Sequence, residues 1–110
     1  MIGWVRGWRR RRAAARDASL VEECVVVAAD ADEPLMVVFE PMGSLYEVPA
    51  GEHLTVSFKA RPGEGGDVEH RADYVSVCAG LSGTMTAWTA AGAEIDLLTG
   101  CPEATGPATQ

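Results

Sequence analysis

Glu52-His53-Leu54-Thr55-Val56-Ser57-Phe58-Lys59-Ala60 carries the clearest periodicity in the chain. Leu54, Val56 and Phe58 alternate with Thr55, Ser57 and Lys59. Successive side chains of an extended strand point to opposite faces, so this stretch has one apolar face and one wet face. A helix would spread the same residues around its circumference. The alternation predicts a strand over residues 52–60 that is buried on one side only, the habit of antiparallel sheets.

The pattern continues in both directions. Upstream, Val48-Pro49-Ala50-Gly51 and Glu40-Pro41-Met42-Gly43 place Pro second and Gly fourth, the signature of a type I turn. They bracket a short strand at 44–48, and a further strand is expected at 35–40. Residues 17–34 read two ways. Ser19-x-x-Glu22 has capping-box spacing and would start a helix at Leu20. Val25-Val26-Val27 is β-branched and prefers a strand, which is favoured over 23–29, with a turn at 30–34. Downstream, Arg61 to Asp67 (RPGEGGD) is expected to be a mobile loop. Residues 74–79 alternate Val75, Val77 and Ala79 with Tyr74, Ser76 and Cys78. Gly80 to Gly83 forms a turn. Residues 84–89 alternate Met85 and Ala87 with Thr84, Thr86 and Trp88. Ala91-Gly92 is a tight turn, and 93–98 alternates again. About seven short strands joined by tight turns predict an all-β fold, a small antiparallel β-sandwich or barrel. Residues 23–98 form the expected β domain, 1–22 a basic N-terminal arm and 99–110 a flexible or loosely docked tail.

Composition bounds this reading. A chain of 110 residues with 47% hydrophobic residues is one globular domain rather than a disordered polymer. Such a domain buries roughly two-thirds of its unfolded surface, enough to stand without metal or disulfide. No run approaches the ~18 apolar residues of a membrane helix. The net charge of −7 is unevenly distributed. Arg6, Arg9, Arg10, Arg11, Arg12 and Arg16 lie in residues 1–16, which hold no acid, giving +6. Lys59, Arg61 and Arg71 face all 16 acids in the remainder, a balance of −13. That balance excludes a nucleic-acid-binding core.

In the arm, Trp4 and Trp8 would share a helix face, but Gly3 and Gly7 weaken a helix there. Arg9 to Arg12 place charge all round, so no apolar stripe exists. The arm is expected to be frayed or partly helical, and dispensable for folding. Trp4, Trp8, Arg9, Arg10, Arg11 and Arg12 are the candidates for weak contact with an anionic surface, the arginines on phosphates and the tryptophans at bases or a lipid interface. Alternatively the arm pairs with the acidic body of its own or a neighbouring subunit, is an unstructured tail, or is an upstream extension from a misplaced start.

Cys24, Cys78 and Cys101 are odd in number and form no C-x-x-C. Free, mostly buried thiols in a reducing cytosol are expected, with Cys78–Cys101 sterically open to bridging. Asp17, Glu22 and Glu23 interrupt the apolar stretch that a cleaved leader needs, so a cytoplasmic protein is expected.

The segment Val38-Phe39-Glu40-Pro41-Met42-Gly43-Ser44-Leu45-Tyr46-Glu47-Val48-Pro49-Ala50-Gly51-Glu52 resembles a family of small uncharacterised β proteins common in high-GC actinobacteria. Their pattern runs Glu-Pro-Trp-Gly, an aromatic, then Pro-x-Gly-Glu, and the similarity extends through Leu98. Met42 stands where that pattern more often has Trp. The resemblance implies no catalytic residue. The Pro49-Ala50-Gly51-Glu52 turn is also similar to turns in cupins, although the His-x-His metal pattern is missing, because Leu54 and Thr55 follow His53.

No assembled chemistry emerges from the remaining motifs. His53, His70 and three Cys match no zinc spacing, so no metal or other cofactor is expected. A calcium loop starting at Asp30 would need Gly at the position of Leu35 and Glu at that of Pro41. In Gly80-Leu81-Ser82-Gly83-Thr84 the second Gly comes too early for a nucleophile elbow. Cys78 has no cationic neighbour in sequence to activate it. Glu69, His70 and Asp73 gather near one strand end, as an acid/base group or, more simply, a hydrophilic rim. Gly63-Glu64-Gly65-Gly66 is glycine-rich, but Glu64 and Asp67 would repel a phosphate, so it reads as a linker and not a phosphate cradle. The expectation is a non-catalytic protein-interaction or accessory module, an acidic β domain that engages a basic partner or associates with itself. The alternative is a cupin-like ligand-binding or enzymatic barrel with Tyr46, His53, Tyr74 and Trp88 lining its pocket.

Overall fold

The computed structural model describes residues 4–12, 20–80 and 83–102, the first of these as a strand path, and all their regular structure is β. In chain order the strands are β1 (Trp4–Arg12), β2 (Val21–Ala28), β3 (Leu35–Glu40), β4 (Ser44–Val48), β5 (His53–Ala60), β6 (Asp67–His70), β7 (Val75–Cys78), β8 (Thr84–Thr89), β9 (Ile95–Asp96) and β10 (Cys101–Pro102). A first sheet has the order β1-β2-β5-β8 and a second the order β4-β3-β7-β6, while β9 and β10 pair separately. The residues between Arg12 and Leu20, including Ser19, and the tail beyond Pro102 lie outside the described residues, as do Leu81 and Ser82 of the expected turn.

The strand alternation builds the core. In β5 Leu54, Val56 and Phe58 are buried, and the register sets Val27 opposite Leu54, Val25 opposite Val56 and Val56 opposite Ala87. Facing them are Leu35, Val37 and Phe39 of β3, Val48 of β4, and Val75 and Val77 of β7, with Ile95 joining the same cluster. Each fully buried Val, Leu or Phe contributes roughly 1.5–3 kcal/mol, which makes this layer the main stabilising term. Both sheets keep end strands, so the molecule is a sandwich and not a closed barrel.

One pairing departs from the expected antiparallel pattern. β3 and β7 run parallel, whereas every other ladder is antiparallel. A parallel neighbour requires a crossover. Here the chain leaves the second sheet after β4, crosses to β5 in the first, and returns through β6.

Several local expectations are corrected. The valines of 25–27 prevail over the capping box, because β2 has a ladder partner along its whole length in β5. The arm is not helical over Trp4–Arg12. It is an edge strand paired antiparallel with β2, and a bulge sets Gly7 and Trp8 against Val25 alone. Two residues against one bends and twists a strand, a place where Gly is at home. The β domain therefore begins well before residue 23. The turn after β3 is one residue wider than type I: the Gly43 amide donates to the Phe39 carbonyl at 2.7 Å, across a cis Glu40–Pro41 bond. The next turn is shifted by one, with Glu52 N–H donating to Pro49 O at 2.9 Å. Residues 67–70, expected as loop and hydrophilic rim, form β6. The expected strand at 93–98 narrows to Ile95–Asp96, with Glu94 bridging Trp88. The start of the expected tail contains β10 at Cys101–Pro102, and Gly100 is buried so closely that a Cβ there would overlap the Leu45 carbonyl. All three cysteines are free, but none is buried: Cys24 and Cys78 are half-buried and Cys101 is exposed.

Candidate functional site

The outer face of the second sheet is assembled by the residues that β3, β4, β6 and β7 turn away from the core. Val38 lies opposite Leu45 on one side and Ser76 on the other, and Ser76 lies opposite Glu69. Met36 is opposite Glu47, and the row Glu40–Cys78–Asp67 crosses three strands. Met36, Val38 and Leu45 thus form an apolar centre, and Glu40, Glu47, Asp67 and Glu69 surround it. None of these four strands contains a Lys or Arg. Arg71, just past β6, pairs with Glu69 at 2.8 Å, both half in solvent. Leu45 is 53% exposed, and Leu98, carried near β4 by the 97–100 segment, is 77% exposed. Ser44 Oγ donates to the Leu97 carbonyl and fixes that segment against β4.

An end strand of the other sheet, β1, carries the contrary charge. β1 holds five arginines in nine residues, and its register places Arg9 opposite Cys24, Arg10 opposite Glu23 and Arg11 opposite Glu22. On the outer face of the first sheet, Ser57 Oγ donates to Glu22 Oε2 at 2.8 Å, and Lys59 stands opposite Glu22 in β5.

An open cleft of about 270 Å³ lies where β2 begins and β5 ends, lined by Val21, Glu23 and Ala60 and, from the following loop, by Arg61 to Gly63 with Gly65 and Gly66. The loop expected to be mobile therefore closes against the body. A Cβ at Gly65 would collide with the Glu23 carboxylate, and one at Gly66 with the Phe58 ring, so the loop backbone packs where side chains could not. Glu23 is 5% exposed and already engaged.

The four pocket candidates do not meet. His53 and Trp88 share the outer face of the first sheet, His53 opposite Ala28 and Trp88 opposite Thr55. Tyr46 is on the inner side of the second sheet, opposite Val37 and packed on the core. Tyr74 precedes β7, its carbonyl accepting from the Arg71 amide at 2.8 Å. None of the four lines the cleft. Burial first, and the Glu52 charge second, push the Tyr46 phenol above its ordinary value of 10.0. Among the described residues no group of three or more His, Cys, Asp or Glu is placed to hold a metal ion, and no helix is long and apolar enough to cross a membrane. Trp4, Trp8 and Arg9 to Arg12 all fall within β1, as strand positions rather than along a helix.

The acidic excess is plain in the sequence but the face is not, because Asp67 and Glu69 belong to a strand that the glycine-rich stretch before it conceals. Only the pairing of β6 with β7, and of β7 with β3, carries those carboxylates to Val38 and Glu40. No protein-family model matches the chain, and no curated protein or solved structure matches it either.

Proposed function

We propose that this protein is a non-catalytic interaction module whose second sheet receives a basic protein partner on its outer face. The observation that carries this reading is the apolar centre of Met36, Val38 and Leu45 set within Glu40, Glu47, Asp67 and Glu69, on strands without a basic residue. An apolar centre supplies burial on association, and a charged rim supplies steering and choice of partner. The −13 balance of residues 17–110 draws a cationic surface from a distance at low ionic strength.

The test is affinity capture from native lysate at low salt, followed by reconstitution with the purified partner. The expected partner is basic, and its binding weakens steeply with salt. Leu45→Glu and Glu47→Lys, both at exposed positions, are expected to weaken binding of that partner at least about tenfold each, a loss of ~1.4 kcal/mol. A partner that binds both variants as well as it binds the wild type would refute this reading.

A further inference from the structure

The sandwich has four sheet edges, and they are not equivalent. The edge at β8 is met at its C-terminal end by its own return, where Thr89 N–H donates to Ala93 O at 2.8 Å and Glu94 bridges Trp88, and β8 carries no charged residue. The edge at β4 is overlain by the 97–100 segment, through Ser44 on the Leu97 carbonyl and Gly100 against Leu45. Among the described residues no strand pairs with the outer side of β1 or of β6. An open edge offers a row of unpaired N–H and C=O groups to another chain.

We infer that the cationic edge β1 of one copy adds to the acidic edge β6 of a second copy, joining the chains head to tail. The charges select this pairing over the alternatives. β1 against β1 would set arginine against arginine, and β6 against β6 would set Asp67 and Glu69 against their like, which is unfavourable for residues directly opposite. β1 against β6 sets opposite charges together. The spacing also agrees. Asp67 and Glu69 are two apart on one face of β6, as Arg9 and Arg11 are two apart in β1, beyond the bulge. The Arg71–Glu69 pair does not block this contact, since an exposed ion pair is held weakly. Because the two edges differ, the contact is heterologous, and a joined pair leaves one β1 edge and one β6 edge open for further copies. Asp67 and Glu69 also belong to the rim of the outer face, so Leu45→Glu and Glu47→Lys, which lie on β4 away from β6, report that surface separately: they are expected to leave this assembly unchanged.

Sedimentation velocity of the full chain tests it. At low salt the wild type is expected to sediment as species larger than a monomer, and to return to monomer at high salt, where exposed charges are screened. Arg9→Gln with Arg11→Gln, and separately Asp67→Asn with Glu69→Gln, are each expected to be monomeric at low salt. Mixed in equal amounts, the two double variants retain one working edge each and are expected to form a one-to-one dimer and nothing larger. Circular dichroism serves as the check that both are folded, and the β6 variant changes only exposed positions. A wild type that is monomeric at low salt, assembly that persists in high salt, or double variants that assemble like the wild type would each overturn the inference. So would a mixture that stays monomeric.

Discussion

Tyr46 shows how much one position owes to its surroundings. Its sequence context is a short polar strand, yet pairing with Val37 turns it inward, where burial and then Glu52 raise its phenol above 10.0. A phenol whose folded value is raised favours the neutral form in the folded state. The stability associated with it is complete below pH ~10 and declines as pH rises through the raised folded value. In a Tyr74→Phe background, the phenolate absorbance of Tyr46 is expected to appear above the pH at which free tyrosine ionises. Tyr46→Phe is expected to flatten the alkaline fall in unfolding free energy. Gly100 gives a second test at this scale. Its φ is +79°, and a Cβ would overlap the Leu45 carbonyl, so both the backbone and the close approach require glycine. Gly100→Ala is expected to destabilise by about 1–3 kcal/mol, read as a lower midpoint in chemical denaturation. The glycine is visible in the sequence, but its neighbour 55 positions earlier is not.

Among the elements, those with strict alternation are legible from the order of residues alone. β3, β4, β5 and β8 fall where the pattern places them, within a residue at each end. β1, β6 and β10 are hidden because each exists by pairing. A run of arginines has no β periodicity of its own, and it becomes a strand by completing the ladder of β2, with Glu22 and Glu23 at facing register positions. The expectation that the arm is dispensable is revised accordingly. Removal of residues 1–12 takes away seven cross-strand positions, each worth roughly 0.2–1 kcal/mol. The melting temperature of the truncated chain is therefore expected to fall by on the order of 10 °C. An unchanged melting temperature would show that β1 contributes nothing to the stability of the first sheet.

At the scale of the whole molecule, the charge division in the sequence acquires a geometry. Residues 1–16 carry +6 as a basic head, and the remainder carries −13 as an acidic body. The fold turns most of that head into one rim of the first sheet and concentrates four carboxylates around an apolar centre on the second. It also keeps His53 and Trp88, on the outer face of the first sheet, apart from Tyr46 on the inner side of the second and from Tyr74 before β7. Local alternation, turn residues and net charge depend only on near neighbours in the chain, and they determined the all-β class, most strands and the acidic character. The choice of sandwich over barrel, the parallel β3–β7 pair, the course of the basic segment as an edge strand and the composition of the acidic face were decided by tertiary structure. Each of these depends on which strands lie side by side, and ladder hydrogen bonds and the burial of Val37, Phe39, Val75 and Val77 between the sheets set that order across separations that no local pattern spans.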